Sequence, residues 1–183
     1  MAARQYQAKV YKLLSDIFDR DRVQSEWNIR VKASDRFIEP TTYAPRVDIA
    51  VGPFNPTSDL VRHDVGKIYE ASSHGLIQDL ISTSRSQNGN FMGHQNPRCL
   101  LAIEIEFSGS SKHILGDIAN AGMMGLVGVV IGPPTNIKKI QRVCQYVQLL
   151  RSAKKGPPDL FTNVACFETA GFVKLLEKYR PQK

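Results

Sequence analysis

The spacing of apolar residues predicts one helix and two strands in the first third of the chain. Between residues 4 and 19 apolar positions recur every three or four residues, which is typical of a helix with one buried face. Residues 27–34 and 46–54 instead alternate apolar and polar positions, as strands with one buried face do. The segment 41–46 between them has the composition of a turn. We therefore expect a helix followed by a β-hairpin.

A helical segment and a loop are predicted next. Residues 57–83 carry two further helical patterns, each preceded by Ser or Thr residues that suit a helix N-cap. The polar, glycine-rich stretch 82–98 is predicted to be a loop of more than usual length. Residues 53–98 are therefore interpreted as a helical and loop insertion between the second and third strands.

The second half of the chain alternates strands with helices. The apolar stretches 99–108 and 126–132 predict strands, the second buried on both faces, and 110–125 between them predicts a helix. These three elements should form a right-handed βαβ unit with parallel strands. The remaining predicted elements are a helix at 136–153, a strand at 160–167 and a helix at 168–180. We expect a single α/β domain over residues 1–183, with a mixed central β-sheet flanked by helices.

The stretch AIEIEFSG, residues 102–109, places two carboxylates on one face of the third predicted strand. Side chains two residues apart in a strand share a face, so Glu104 and Glu106 point the same way. Two like charges in the middle of a sheet are costly unless they are paired, hydrogen-bonded or bound to a cation. The wet face of an edge strand would avoid that cost, but the apolar residues 99–103 and the βαβ connection argue against an edge.

Asp48 is a third carboxylate inside a predicted strand, between Val47 and Ile49. If the second and third strands are neighbours, Asp48 and Glu104 converge where the sheet splays. Two carboxylates and a backbone carbonyl make a site of hard oxygen ligands, the kind that binds Mg²⁺ with several waters retained.

These elements resemble the PD-(D/E)XK nuclease superfamily, which has the restriction-endonuclease-like fold. That family has a helix, a hairpin bearing an Asp, a strand bearing (D/E)-x-K, and then a helix and another strand. Here PRVD at 45–48 corresponds to the first motif and EIE at 104–106 to the second. The resemblance covers residues 4–132, with 133–183 as an extension.

The resemblance implies a metal-dependent nuclease that hydrolyses phosphodiester bonds of nucleic acid, DNA in preference to RNA, by a metal-activated water. It implies Mg²⁺ or Mn²⁺ held by Asp48, Glu104 and the backbone carbonyl of Ile105. Glu106 stands where the family has its usual lysine, and it would ligate the ion or help to position the water. Alternatively, Lys112 at the start of the next helix supplies the missing cation, unless it is only a solvated residue at a helix end.

The missing lysine also leaves a second hypothesis open. A catalytically inactive domain of the same fold would act as a DNA- or protein-binding module. An active enzyme should bind Mg²⁺ and cut nucleic acid only with the ion present, whereas a binding module should show salt-dependent DNA affinity that a chelator does not change.

The formal net charge of +7 and the pI of about 9.4 favour a polyanionic partner. Several basic residues are candidates for contact with phosphates, and each is equally compatible with a plain solvated surface. They are Arg85 and Arg98 at the ends of the 82–98 loop, His113 beside Lys112, and Lys138, Lys139 and Arg142 on the basic face of the 136–153 helix.

The cysteines and the hydropathy indicate an intracellular protein. Cys99, Cys144 and Cys166 lie far apart in apolar stretches without a CxxC motif, so we expect reduced thiols in a core. No apolar run approaches the roughly 18 residues of a membrane span, and residues 1–12 lack the apolar region of a signal peptide. We expect a cytoplasmic location, no membrane partner, and a homodimer as one option, since many nucleases of this fold dimerise.

Overall fold

A computed structural model describes residues 2–28, 45–55 and 63–181. The helices are α1 (Ala3–Phe18), α2 (His63–Ala71), α3 (Gly75–Asn88), α4 (Ser111–Met124), α5 (Pro134–Ser152) and α6 (Thr169–Tyr179). The strands are β1 (Val23–Asn28), β2 (Arg46–Phe54), β3 (Cys99–Ile105), β4 (Gly125–Gly132) and β5 (Val164–Glu168). None of the helices in the described ranges has both the length and the hydropathy needed to cross a bilayer.

The five strands form one mixed sheet in the order β1-β2-β3-β4-β5, so β3 is the central strand. The pairs β1–β2 and β2–β3 are antiparallel, whereas β3–β4 and β4–β5 are parallel. Helix α4 connects the parallel strands β3 and β4, as the βαβ prediction requires. The predicted α/β architecture is therefore confirmed: a mixed sheet flanked by helices, with α2 and α3 inserted between β2 and β3.

The predicted starts of the first and last strands were wrong. The first strand begins at Val23, not at residue 27, and its predicted continuation over 29–34 and most of the 41–46 turn lie outside the described residues. The first residues of the 57–83 pattern, 57–62, are also outside the described part of the chain. The last strand begins at Val164, because residues 160–163 form turns.

The predicted 82–98 loop is also too long, because α3 continues to Asn88 and ends at Gly89 in the left-handed region with φ 81°. The polar residues of this last part of α3 bond to the backbone near the edge strand β5. Ser84 Oγ donates to the carbonyl of Thr162 at 2.7 Å, and Asn88 Nδ2 donates to that of Val164 at 2.8 Å. These side chains satisfy carbonyl groups that would otherwise lack partners, so a polar sequence forms a packed helix.

The two faces of the sheet have different coverings. The large core joins apolar residues of α1, α3 and α6 to odd-numbered residues of the inner strands, including Ile49, Leu101, Ile103 and Val129. Helices α4 and α5 cover the other face, where Ile114, Ile118 and Ile140 pack against Val130 and Val164. Alternation along each strand sends neighbouring residues to these two separate cores.

Small residues let α4 approach the sheet closely. Ala50, Ala102 and Gly128 are aligned across β2, β3 and β4. A Cβ added at Gly128 would lie only 2.8 Å from the backbone carbon of Ala121 in α4. Asp48 and Glu104 are the next residues on the same face of β2 and β3. The close contact at Gly128 therefore brings the preceding turns of α4 over these two carboxylates.

Candidate carboxylate site

The carboxylates of Glu104 and Glu106 are buried at the C-terminal end of the central strand. Glu104 is 5% exposed and Glu106 is 4% exposed. Glu106 follows the last residue of β3, but its N–H still donates to the carbonyl of Ile131 at 2.8 Å, so the pairing with β4 continues. The exposed-edge interpretation of this alternating segment does not match the burial of both carboxylates.

Asp48 lies beside Glu104 on the neighbouring strand. The Ile105 N–H donates to Asp48 Oδ2 at 2.7 Å, and the Asp48 N–H donates to Glu104 Oε2 at 3.3 Å. The two residues are brought together by the antiparallel register, in which Ile49 is paired with Ile103. The expected convergence of Asp48 and Glu104 is present in the structure.

Helix α4 contributes two polar residues that the sequence interpretation missed. Asn120 Nδ2 donates to Glu104 Oε1 at 3.1 Å, and the carboxyl of Asp117 is hydrogen-bonded to Glu106. A signal for Asp117 was present in the helical pattern, because positions 114, 117, 118 and 121 lie on one side of α4 and the other three are buried apolar residues. A carboxylate within an apolar stripe indicates a polar partner in the sheet below.

Burial and mutual repulsion favour the protonated form of Glu104. Burial raises the pKa of Glu104 to about 8, with a further contribution from the charge of Asp48 and an opposing one from the Asn120 hydrogen bond. Burial likewise raises the pKa of Asp48, and the hydrogen bond from Ile105 only partly offsets this. The pair therefore shares an environment that disfavours two negative charges and would favour a cation.

Glu106 and Asp117 behave as one carboxyl pair that retains a proton. Burial works to raise the pKa of Glu106, but hydrogen bonds from Ser108, Gly109 and Asp117 outweigh it, so its pKa lies below the ordinary value. Burial and the adjacent Glu106 raise the pKa of Asp117. The retained proton belongs to Asp117, which donates it to an ionised Glu106.

The loop after Glu106 connects the carboxylates to a lysine of α5. The Gly109 N–H donates to Glu106 Oε1 at 2.8 Å, and Gly109 has a φ of 70°, which a glycine adopts without strain. Lys139 Nζ donates a hydrogen bond to the Gly109 carbonyl. Lys112 is instead exposed in the first turn of α4 and forms no hydrogen bond or ion pair with any described residue.

The other predicted basic residues fall into two groups. Lys139 and Arg142 line a groove of about 360 Å³ between α4 and α5, together with Ser111, Leu115 and Tyr146. Lys138 is exposed and is not among the residues that line this groove, and His113 Nδ1 lies 3.0 Å from Ser108 Oγ in the loop that follows the carboxylates.

Arg98 and Arg85 do not join the carboxylates. Arg98 precedes β3, at the opposite end of that strand from Glu104. Arg85 is exposed on α3, which packs on the face of the sheet away from α4.

The donor chemistry fits a hard cation, but the side chains do not form a closed metal cage. Among residues 2–28, 45–55 and 63–181, no three Asp, Glu, His or Cys side chains are grouped so that they could hold an ion. Mg²⁺ commonly binds through one or two carboxylates and keeps several waters. The adjacent carboxyl groups of half-buried Asp48 and buried Glu104 fit Mg²⁺ as such a pair of ligands, not as a complete coordination shell.

Comparison with known proteins finds no match to the chain among protein families, curated proteins or solved structures.

Proposed function

We propose that the protein is a metal-dependent nuclease of the PD-(D/E)XK type, which hydrolyses phosphodiester bonds of nucleic acid with a preference for DNA. The observation that carries the proposal is the adjacency of half-buried Asp48 and buried Glu104 on neighbouring inner strands, where the Asp48 N–H donates to the Glu104 carboxylate at 3.3 Å. Burying two adjacent carboxylates costs stability unless a cation or a proton compensates them. Residues that reduce stability in this way are commonly kept for function.

The order and direction of the elements support the family proposal. Helix α1 is followed by the antiparallel strands β1, β2 and β3, and α4 then leads to β4 parallel to β3. PD-(D/E)XK nucleases have the same order of elements. Asp48 lies on the second strand and Glu104 on the third, as the family motif requires.

Asp48 and Glu104 would hold Mg²⁺ or Mn²⁺, with the backbone carbonyl of Ile105 as a third oxygen. When bound, the ion would lower the pKa of a water molecule and neutralise charge on a phosphate oxygen. The positive ion would also lower the raised pKa of Glu104, so that both carboxylates are ionised in the loaded state.

The protein's own groups would position the substrate and accept a proton. Glu106 is ionised, and Asp117 and the Gly109 N–H orient it by hydrogen bonds. It would accept a hydrogen bond from the attacking water. Lys139 and Arg142 would contact the phosphates of the nucleic acid along the α4–α5 groove. Lys139 is the stronger candidate for the family's missing cation, because Gly109 connects it to Glu106, whereas Lys112 is exposed and makes no such contact.

Cleavage assays with matched variants test the proposal. Purified protein should nick supercoiled DNA with Mg²⁺ or Mn²⁺ and lose that activity in EDTA, and parallel assays with single-stranded DNA and RNA give the preference. Asp48→Asn and Glu104→Gln should each lower the cleavage rate by about 100-fold, equivalent to about 3 kcal/mol of transition-state stabilisation. Glu70→Gln, at an exposed glutamate of α2, is the matched control and should cut as the wild type does. Cleavage that survives EDTA, or a wild-type cleavage rate in either site variant, contradicts the proposal.

A specific observation also favours the second candidate, a catalytically inactive domain that binds DNA or protein. Glu106 replaces the family's usual lysine, and Lys112 does not contact the carboxylates. In that case the wild type should cut none of the three substrates, yet bind DNA with an affinity that falls with salt and is indifferent to EDTA.

A cytoplasmic location and a homodimer belong to the same proposal. Fractionation of cells tests the first, and sedimentation equilibrium tests the second.

A further inference from the structure

Two cysteines from different elements lie side by side on the α4–α5 face of the sheet. Cys144 Sγ of α5 and Cys166 Sγ of β5 are 3.0 Å apart. Cys166 is buried and Cys144 is half-buried, so only Cys144 is open to a small reagent from solvent. A disulfide bond of about 2.05 Å would need the sulfur atoms to approach by about 1 Å.

The backbone of Cys166 is held in position from the other side of β5. Gln87 of α3 donates through Nε2 to the carbonyl of Cys166 at 2.8 Å and accepts from its N–H through Oε1 at 2.8 Å. These two bonds satisfy both polar groups of an edge-strand residue. Cys166 is therefore fixed with its side chain toward α5, where Cys144 packs against the same apolar cluster.

The surroundings distinguish the two sulfur atoms. The hydrogen bond with Cys166 and the nearby charge of Arg151 lower the pKa of Cys144. Arg151 is anchored by a 2.6 Å hydrogen bond from Nη1 to the carbonyl of Leu160. The hydrogen bond with Cys144 raises the pKa of Cys166, so Cys166 keeps its proton. Cys144 is the more nucleophilic thiol, since the thiolate is the reactive form.

We propose that Cys144 and Cys166 are a peroxide-reactive thiol pair that closes to a reversible intramolecular disulfide. The Cys144 thiolate attacks one oxygen of hydrogen peroxide, so that an S–O bond forms, the O–O bond breaks and hydroxide leaves. Cys166 then attacks the sulfenic sulfur, so that the S–S bond forms, the S–O bond breaks and water leaves with the Cys166 proton. The proton released by Cys144 converts the hydroxide to water. The two thiols lose two electrons and the peroxide gains them.

Cys99 provides a matched control within the same chain. It is fully buried in a third apolar cluster with Trp27 and Met124, and burial raises its pKa. It therefore has neither a thiol neighbour nor thiolate character, and peroxide should leave it unchanged. The proposal is independent of the nuclease proposal, because none of the three cysteines belongs to the carboxylate site.

Thiol counting after peroxide treatment tests the pair. Oxidised wild type, unfolded and alkylated, should expose one free thiol in place of three, with peptide mapping placing the disulfide between Cys144 and Cys166. Cys99→Ala should expose none. Dithiothreitol should restore the full count, and the melting temperature of the oxidised protein should exceed that of the reduced protein by about 5–10 °C.

Trapping of sulfenic acid with dimedone tests the assigned roles. Cys166→Ala should be labelled at Cys144, whereas Cys144→Ala should remain unlabelled at Cys166. The proposal is overturned if oxidised wild type retains all its thiols, if its disulfide includes Cys99, or if it forms only disulfides between molecules. The peptide map of the oxidised wild type identifies the cysteines in the disulfide even where an alanine variant does not fold.

Discussion

The two faces of the central strand β3 carry different kinds of side chain. Leu101 and Ile103 point to the core formed with α1, α3 and α6, where the sheet contributes apolar side chains. Ala102, Glu104 and Glu106 alternate with them, and Glu104 and Glu106 contact the polar residues Asn120 and Asp117 of α4. The same strand therefore carries a purely apolar surface on one face and a buried carboxylate cluster on the other.

The two faces of β3 differ in what their side chains contribute to the stability of the fold. Burying an isoleucine side chain stabilises a folded protein by about 1.5–3 kcal/mol, whereas a buried carboxylate must be protonated, hydrogen-bonded or bound to a cation. The apolar face of β3 fits its central position in the sheet. The polar face is the one that the proposed metal site would use, and substitutions on the two faces should have opposite effects on stability.

The largest effect is expected on the apolar face. Ile103→Ala should lower the free energy of unfolding by about 2–5 kcal/mol, because Ile103 is fully buried and the substitution leaves a cavity. Urea denaturation followed by circular dichroism measures this. Ile103→Val, with an expected loss of about 0.5–1.5 kcal/mol, is the graded control. Equal stability of wild type and Ile103→Ala contradicts the assignment of this face as core.

Substitution of Glu104 is expected to raise the free energy of unfolding, opposite to the effect at Ile103. Its pKa is raised from 4.5 to about 8, so the folded protein retains a proton that the unfolded chain releases. Stability from this group is therefore fully present below about pH 4.5, falls as the pH rises, and is lowest above about pH 8. Glu104→Gln should be more stable than the wild type by about 4 kcal/mol near pH 8 and equal to it near pH 4.

Denaturation with urea at a series of pH values gives the comparison. Glu70→Gln, at an exposed site, should follow the wild-type pH profile. If Glu104→Gln loses stability near pH 8, the carboxylate is a stabilising group and the contrast between the two faces fails.

A smaller stabilisation is expected from the metal. Millimolar Mg²⁺ should raise the melting temperature of the wild type near pH 8 by about 2–4 °C, since an ion bound only to the folded state adds about 1 kcal/mol at a concentration several times its Kd. Asp48→Asn and Glu104→Gln should lose this shift, and Ile103→Val should keep it. An equal Mg²⁺ shift in all four proteins would place the ion elsewhere.

The smallest effect concerns two adjacent lysines of α5. Lys139 donates a hydrogen bond to Gly109 in the loop after Glu106 and lines the α4–α5 groove, whereas Lys138 is exposed and is not among the residues that line it. Lys139→Ala should weaken DNA binding by about 3–10-fold and reduce the salt dependence by about one counterion. Lys138→Ala should change the affinity less, and both should stay within about 0.5 kcal/mol of wild-type stability. Fluorescence anisotropy at several salt concentrations measures the affinities, and equal losses for the two lysines refute the distinction.

Much of the architecture could be predicted because it depends on local patterns. The apolar residues 99–103 and the βαβ connection argued against an edge position for β3, and the unbroken apolar run of β4 indicated a buried parallel neighbour; both are present. The last part of α3 was predicted wrongly, because Ser84 and Asn88 look like loop residues until their bonds to Thr162 and Val164 are known. Local polarity says nothing about a backbone partner some 80 residues away in the chain.

The sequence by itself determined that Glu104 and Glu106 share a face, since a strand places alternate side chains on the same side. Only the tertiary structure decided what faces them. The register of β2 against β3 placed Asp48 beside Glu104, and the close approach of α4 at Gly128 brought Asp117 and Asn120 over the carboxylates. The same holds for Cys144 and Cys166, which are 22 residues apart in sequence and in contact in the fold. Periodicity reports the direction of a side chain, whereas packing between distant segments selects its neighbours.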